Sequence, residues 1–163
     1  MSRNAQFCIW VDGDSCAIDA RNLVSRRGLR EGFKVRVVAN RPIPLPSGAR
    51  HAMIVVSEDD TADEYILRAL GKNDIVVTRD TVLAEQIAKN GNTVLNDRGD
   101  QFDADAARER RSIRDFSMTL KNAGLRRTPD GSRGAREVKR FADALDRAIT
   151  RAKTAQKAAQ REA

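Results

Sequence analysis

The sequence predicts an α/β protein with three layers, in which helices cover both faces of a parallel sheet. Short apolar segments alternate with segments of helical periodicity along the first hundred residues, as in proteins built from repeated β–α units. The first segment, residues 7–11, has five consecutive apolar side chains. Such a run without alternation is typical of a central strand that is buried on both faces.

Five strands and three helices are predicted in this part of the chain. The strands are expected at residues 7–12, 34–39, 52–56, 74–78 and 93–95, and the helices at residues 15–27, 61–70 and 81–90. A glycine follows each helix, at Gly28, Gly71 and Gly91, which is a common helix stop. From about Asp103 the chain is expected to be helical, in two segments separated at residues 128–131.

The chain length of 163 residues fits one domain. We expect this domain to cover residues 1–153, with the C-terminal helices packed on the same sheet, and residues 154–163 to form a polar tail that frays. We find no apolar run in the sequence that is long enough to cross a membrane, and no pattern of a secretory signal. Two cysteines are too few for a disulfide framework, so a cytoplasmic protein is expected.

The net charge of +7 comes entirely from the C-terminal part of the chain. Residues 1–100 contain 14 basic and 14 acidic residues, whereas residues 101–163 contain 16 and 9. This asymmetry fits a polyanionic partner, or equally a solvated arginine-rich surface. The candidate phosphate contacts are Arg98, Arg108, Arg110, Arg111, Arg114 and Arg127. Because only 4% of the residues are aromatic, any binding of nucleic acid should depend on the phosphate backbone and on salt.

Polar or acidic residues follow every predicted strand. The carboxyl ends of parallel strands share one edge of the sheet, where open α/β proteins bind ligands. We therefore expect Asp12, Asp14, Asp63 and Asp80 to converge, with Asp60, Glu64 and Asp97 nearby. Carboxylates that lie this close need a cation, and an all-oxygen set favours Mg²⁺ or Mn²⁺.

Helix capping is the alternative explanation for most of these residues. Asp14, Asp60 and Asp80 each precede a predicted helix, where aspartate is a preferred N-cap. Thr61 and Glu64 form a capping-box pattern. Asp12 does not fit this explanation, because it ends a buried strand and precedes the expected helix start.

A series of motifs resembles the YaiI/YqxD family of bacterial proteins, which have a PIN-like domain. The motifs are IWVDGDSC at residues 9–16, VAN at 38–40, DTADE at 60–64, VVTRD at 76–80, LNDRG at 95–99 and RDF at 114–116. The resemblance covers about residues 7–150. It implies a three-layer α/β/α fold with strand order 3-2-1-4-5. The chain departs from the family at residues 12–17, where members commonly read DADACP, and at residues 126–131, which replace a Gly-Gly-Pro turn.

PIN domains are typically ribonucleases that depend on Mg²⁺ or Mn²⁺. The resemblance implies that Asp12, Asp63 and Asp80 are the metal-binding carboxylates, and Asp14 is added as a further or water-mediated ligand. The resulting hypothesis is a phosphodiesterase that acts on RNA. Two alternatives stay open. The protein could be a non-catalytic RNA-binding module, or a haloacid-dehalogenase-like phosphatase with Asp12 as its nucleophile. The order of the later acidic motifs differs from that of such phosphatases.

Overall fold

The computed structural model describes residues 7–102 and 134–162, and its centre is a six-stranded sheet with the order β3-β2-β1-β4-β5-β6. The strands are β1 Cys8–Asp12, β2 Lys34–Ala39, β3 Met53–Val55, β4 Ile75–Val77, β5 Thr93–Leu95 and β6 Gln101–Phe102. Strands β1 to β5 are parallel, and β6 runs antiparallel to β5. The predicted fold class and the order 3-2-1-4-5 are therefore confirmed.

Helices cover the two faces of the sheet, and successive residues of β1 point to opposite faces. The helices are α1 Ile18–Glu31, α2 Ala62–Ala69, α3 Thr81–Lys89 and α4 Ala135–Glu162, with a short 3₁₀ helix at Arg50–Ala52. Ile9 and Val11 pack in one apolar cluster with α1 and α4. Cys8 and Trp10 pack in a second cluster with α2 and α3. Asp12 follows the same alternation and faces the α2 and α3 side.

Helix α1 differs from its predicted bounds at both ends. It begins three residues later than expected, because its N-cap is Ala17 rather than a carboxylate that precedes it in the chain. It also continues through Gly28 to Glu31, and the next residue, Gly32, caps it in a left-handed conformation with a φ of 84°. Gly28 is required for packing, since a Cβ there would lie 2.5 Å from a methyl of Val35.

The hairpin from β5 to β6 was not predicted, because β6 has only two residues. Its turn packs against α4 at Gly99, which has a φ of 91°. A Cβ at this position would lie 2.5 Å from the carbonyl oxygen of Arg140. Glycine at position 99 therefore meets two demands, a left-handed backbone and a close helix contact.

The C-terminal helix α4 buries one apolar stripe against the sheet. The stripe consists of Phe141, Ala144, Leu145, Ala148, Ile149 and Ala152. The helix continues to Glu162, through most of the segment 154–163 for which we expected a frayed tail. The helix predicted from about Asp103 lies outside the described residues. Among the helices of residues 7–102 and 134–162, none is both long and apolar enough to cross a bilayer.

Candidate functional site

The carboxyl edge of the sheet holds a cavity of about 490 Å³ with an acidic lining. Asp12 reaches it from the end of β1, Asp63 from the first turn of α2, and Asp80 from the start of α3. Asp14, in the loop after β1, also lines this cavity. The structure thus brings together all four carboxylates that the sequence singled out. The other lining residues are Ser15, Asn40, Asp60, Thr61, Ala62 and Arg79.

Asp12 is buried and held in place by two hydroxyl groups. Ser15 and Thr78 each donate a hydrogen bond of 2.9 Å to its Oδ2 atom. Thr78 is itself fully buried, and its hydroxyl accepts a hydrogen bond from the amide of Asp80. Burial raises the pKa of Asp12, and the charges of Asp14 and Asp80 act in the same direction against the two hydroxyl bonds. The carboxyl group is therefore fixed in orientation within an acidic surrounding.

Asp63 and Asp80 both line this cavity, and Asp80 acts on the Asp63 carboxyl group more strongly than Asp12 or Glu64 does. The pKa of Asp63 rises to about 7, because burial, the interaction with Asp80 and the charge of Asp12 all oppose its ionisation. Neighbouring carboxyl groups that repel one another hold a proton to higher pH than an isolated carboxyl group does. The Oδ1 atom of Asp80 also accepts the amides of Val82 and Leu83, as the N-cap of α3.

The remaining acidic residues near this edge have structural partners. Asp14 accepts the amide of Asn40 and so connects the loop after β1 to the end of β2, and it does not cap α1. Asp60 accepts the amide of Thr61 and pairs with Arg68 at 2.6 Å. The capping box is confirmed in one half, since Thr61 is the N-cap of α2 and accepts the amide of Glu64.

Asp97 is fully buried and does not itself line the acidic cavity, but it holds Arg79, which does. Its Oδ2 atom accepts the amide of Ala17 at 2.8 Å and the Nε–H of Arg79 at 2.7 Å. Asp97 therefore supplies the cap that α1 lacks in its own sequence, from a position 80 residues away along the chain.

Arg79 is a candidate site residue that the sequence analysis missed. Its side chain lines the acidic cavity and also a neighbouring groove along α1. Its backbone amide donates to Ser15, which in turn holds Asp12. The position of Arg79 between Thr78 and Asp80, directly after a strand, was the signal that could have identified it.

Of the six arginines predicted to bind nucleic acid, the structure describes only Arg98. Arg98 is exposed on the turn between β5 and β6. Its backbone amide donates to the side chain of Asn96, which closes the turn. The other five predicted residues, Arg108, Arg110, Arg111, Arg114 and Arg127, lie outside the described residues.

The donor set of the acidic cavity suits a hard divalent cation, although no compact cage is present. Within residues 7–102 and 134–162, no three His, Cys, Asp or Glu side chains are arranged to hold a metal ion. Mg²⁺, however, needs only one or two carboxylates, because it keeps several of its water ligands. Asp12, Asp63 and Asp80 offer oxygen atoms alone, and a cation would offset the repulsion that raises the pKa of Asp63. By this criterion the residues fit such an ion.

Comparison with known proteins identifies the family. The family model described as "Uncharacterized BCR, YaiI/YqxD family" matches residues 10–151. The chain belongs to the YaiI/YqxD family. No solved structure matches this YaiI/YqxD protein significantly.

Relatives of this YaiI/YqxD chain occur in several bacteria under the name UPF0178 protein. The relative from Treponema pallidum is 43% identical over 141 residues, which cover 85% of this chain and 79% of the relative. The relative from Psychromonas ingrahamii is 36% identical over 146 residues, covering 89% of this chain and 97% of the relative. A Yersinia pestis relative is 34% identical over 146 residues, with 89% and 96% covered.

Proposed function

We propose that the protein is a phosphodiesterase that depends on Mg²⁺ or Mn²⁺ and cleaves RNA. The observation that carries this proposal is the convergence of Asp12, Asp63 and Asp80 on one cavity from three separate segments of the chain. A purely structural explanation does not account for the cluster, because burial and mutual repulsion raise the pKa of Asp63 to about 7. Perturbed carboxyl groups in a cleft are typical of functional sites.

Each carboxyl group has a defined task in this proposal. Asp12, fixed by Ser15 and Thr78, presents an oriented oxygen atom. Asp80 is fixed by the first amides of α3. Asp63, whose pKa is raised, would release its proton when its carboxylate binds the cation. A divalent cation bound there would supply Lewis-acid polarisation of the phosphate and an activated water. Asp14 lies at the rim, where it can orient a water molecule.

The test is cleavage of a labelled single-stranded RNA in Mn²⁺ or Mg²⁺, with EDTA as the metal-free reference. We expect Asp12→Asn and Asp80→Asn each to reduce the cleavage rate by at least about 100-fold, since both remove an anionic oxygen from the ion. Asparagine can still accept the hydroxyl bonds of Asp12 and can still cap α3, so both variants should fold.

Asp59→Asn is the matched control, because Asp59 is exposed in the loop before α2 and does not line the cavity. It removes the same charge and should leave cleavage unchanged. Divalent-dependent cleavage that persists in Asp12→Asn and Asp80→Asn would refute the proposed mechanism. RNA binding that ignores EDTA, without product, would indicate a non-catalytic module, and a fluoroberyllate adduct on Asp12 would indicate a phosphatase.

A further inference from the structure

A groove of about 1060 Å³ runs along α1, next to the acidic cavity. Asp14, Ser15 and Arg79 line both spaces, so the two are continuous. From this junction the groove follows the exposed side of α1, and Val138 and Ala142 of α4 also line it. A ligand that occupies the acidic cavity therefore has a path that leads away from it across the surface.

The wall that α1 contributes to this groove is one stripe of side chains. Ile18, Asn22, Arg26 and Arg30 recur every four residues and all line the groove. Residues at this spacing lie above one another on a helix. At about 1.5 Å per residue, Arg26 lies about 12 Å and Arg30 about 18 Å along the axis from the start of α1.

The outer part of the groove is cationic. Arg26 is exposed and makes no ion pair with any described residue, and the Arg30 side chain is 72% exposed with its nearest carboxylate oxygen, from Glu31, 4.0 Å away. Arg27 also lines the groove, but Glu31 and Asp146 neutralise it. At the inner end, the Nε–H of Arg79 binds Asp97, and the Arg79 side chain is 45% exposed.

We propose that this groove binds the single-stranded RNA beyond the cleavage point. Arg79 contacts the phosphate at the junction, and Arg26 and Arg30 contact phosphates farther along the strand. Guanidinium groups suit this role because they bind phosphate oxygens in pairs. A path of about 18 Å corresponds to roughly five stacked nucleotides, at about 3.4 Å for each.

The choice of RNA as ligand rests on the proposed function, whereas the location of the groove rests on its own geometry. The groove offers apolar contact at Ile18, which is 66% exposed at the inner end of the stripe. This is enough surface for an unpaired base, but the described lining contains no aromatic side chain for stacking. Binding should therefore depend on chain length and salt more than on base identity.

The experiment measures fluorescence anisotropy of labelled oligouridylates of two and eight nucleotides, in EDTA so that no cleavage occurs. For the unaltered protein we expect the octamer to bind at least about tenfold more tightly than the dimer. The variant Arg26→Ala/Arg30→Ala should lose about tenfold in octamer affinity and almost none in dimer affinity. Its slope of log affinity against log salt should become shallower by about 1.4, for two lost contacts to a single strand.

Lys34→Ala/Lys72→Ala is the matched control, since it removes two positive charges from exposed residues at the opposite, amino-terminal edge of the sheet. The inference is overturned if this control weakens octamer binding as much as the arginine variant does. It is also overturned if both oligonucleotides lose affinity equally, or if a duplex of the same length binds as well as the single strand.

Hydrolysis of bis(p-nitrophenyl) phosphate in Mn²⁺ separates this inference from the proposed function. This small diester reaches the acidic cavity without needing the groove, so Arg26→Ala/Arg30→Ala should hydrolyse it at the rate of the unaltered protein. Length-dependent binding without any hydrolysis would refute the phosphodiesterase and retain the groove. Hydrolysis without length-dependent binding would refute the RNA-binding groove and retain the phosphodiesterase.

Discussion

At the scale of single residues, the acidic cavity lowers the stability of the folded protein wherever its carboxyl groups are ionised. Asp63 has an ordinary pKa of 3.8, and the cavity raises it to about 7. The folded protein therefore retains a proton that the unfolded chain releases between these values. By linkage, this group contributes most to stability at low pH, and its contribution declines as the pH rises toward the folded-state pKa.

We predict that the metal-free protein loses thermal stability as the pH rises from about 4 to about 7, and that Asp63→Asn reduces this loss. The asparagine variant should melt a few degrees higher than the unaltered protein at the upper pH, because it has no charge to repel Asp80. Thermal melts in EDTA across this range provide the measurement, with Asp59→Asn as reference. Identical pH profiles for Asp63→Asn and the unaltered protein would show that the carboxyl pair does not retain the proton.

The buried carboxylate of Asp97 is predicted to be a major stabilising group. Asp97→Ala leaves the Ala17 amide and the Arg79 guanidinium without their acceptor, which should cost about 2–3 kcal/mol in the free energy of unfolding. Urea denaturation measures this cost, and faster hydrogen exchange at the Ala17 amide locates it. Asp143→Ala removes an exposed ion pair with Lys139 and should cost less than about 0.5 kcal/mol. Equal costs for the two variants would contradict this assignment.

At the scale of elements, close packing decides where helices meet the sheet. The turn between β5 and β6 touches the backbone of α4 at Gly99, and α1 contacts β2 at Gly28. Neither contact leaves room for a side chain. These glycines therefore set the position of a helix, whereas Gly32 and Gly91 provide the left-handed backbone that follows a helix.

Gly99→Ala and Gly91→Ala separate steric contact from backbone strain. Both glycines have a φ of about 90°, but a Cβ at position 91 has no atom within 4 Å, whereas one at position 99 meets Arg140. We predict that Gly91→Ala costs about 1 kcal/mol and that Gly99→Ala costs at least about 2 kcal/mol more. Chemical denaturation of the two variants measures the difference, and equal costs would place the turn farther from α4.

At the scale of the whole molecule, the sequence was informative where the determinants are local. Apolar runs predicted all five parallel strands, and Thr61 and Asp80 marked the beginnings of α2 and α3. The start of α1 could not be predicted, because its cap comes from Asp97, in the turn after β5. β6 was missed since two residues carry no periodicity.

The same distinction applies to the candidate site. Parallel topology alone predicts that carboxylates after the strands meet at one edge, and Asp12, Asp63 and Asp80 do so. Sequence position does not show to which side of that edge a side chain turns. The roles of Asp97 as cap of α1 and partner of Arg79 were therefore not predicted, and Arg79 was overlooked although it lines both spaces.

The hydrogen bond from Ala17 to Asp97 also has a consequence for biosynthesis. A nascent chain that has not yet reached residue 97 has no acceptor for this amide, so the first turn of α1 is left unsupported. The loop with Asp14 and Ser15 precedes that turn directly. The N-terminal half of the acidic cavity is therefore completed only after the ribosome has delivered the turn that follows β5.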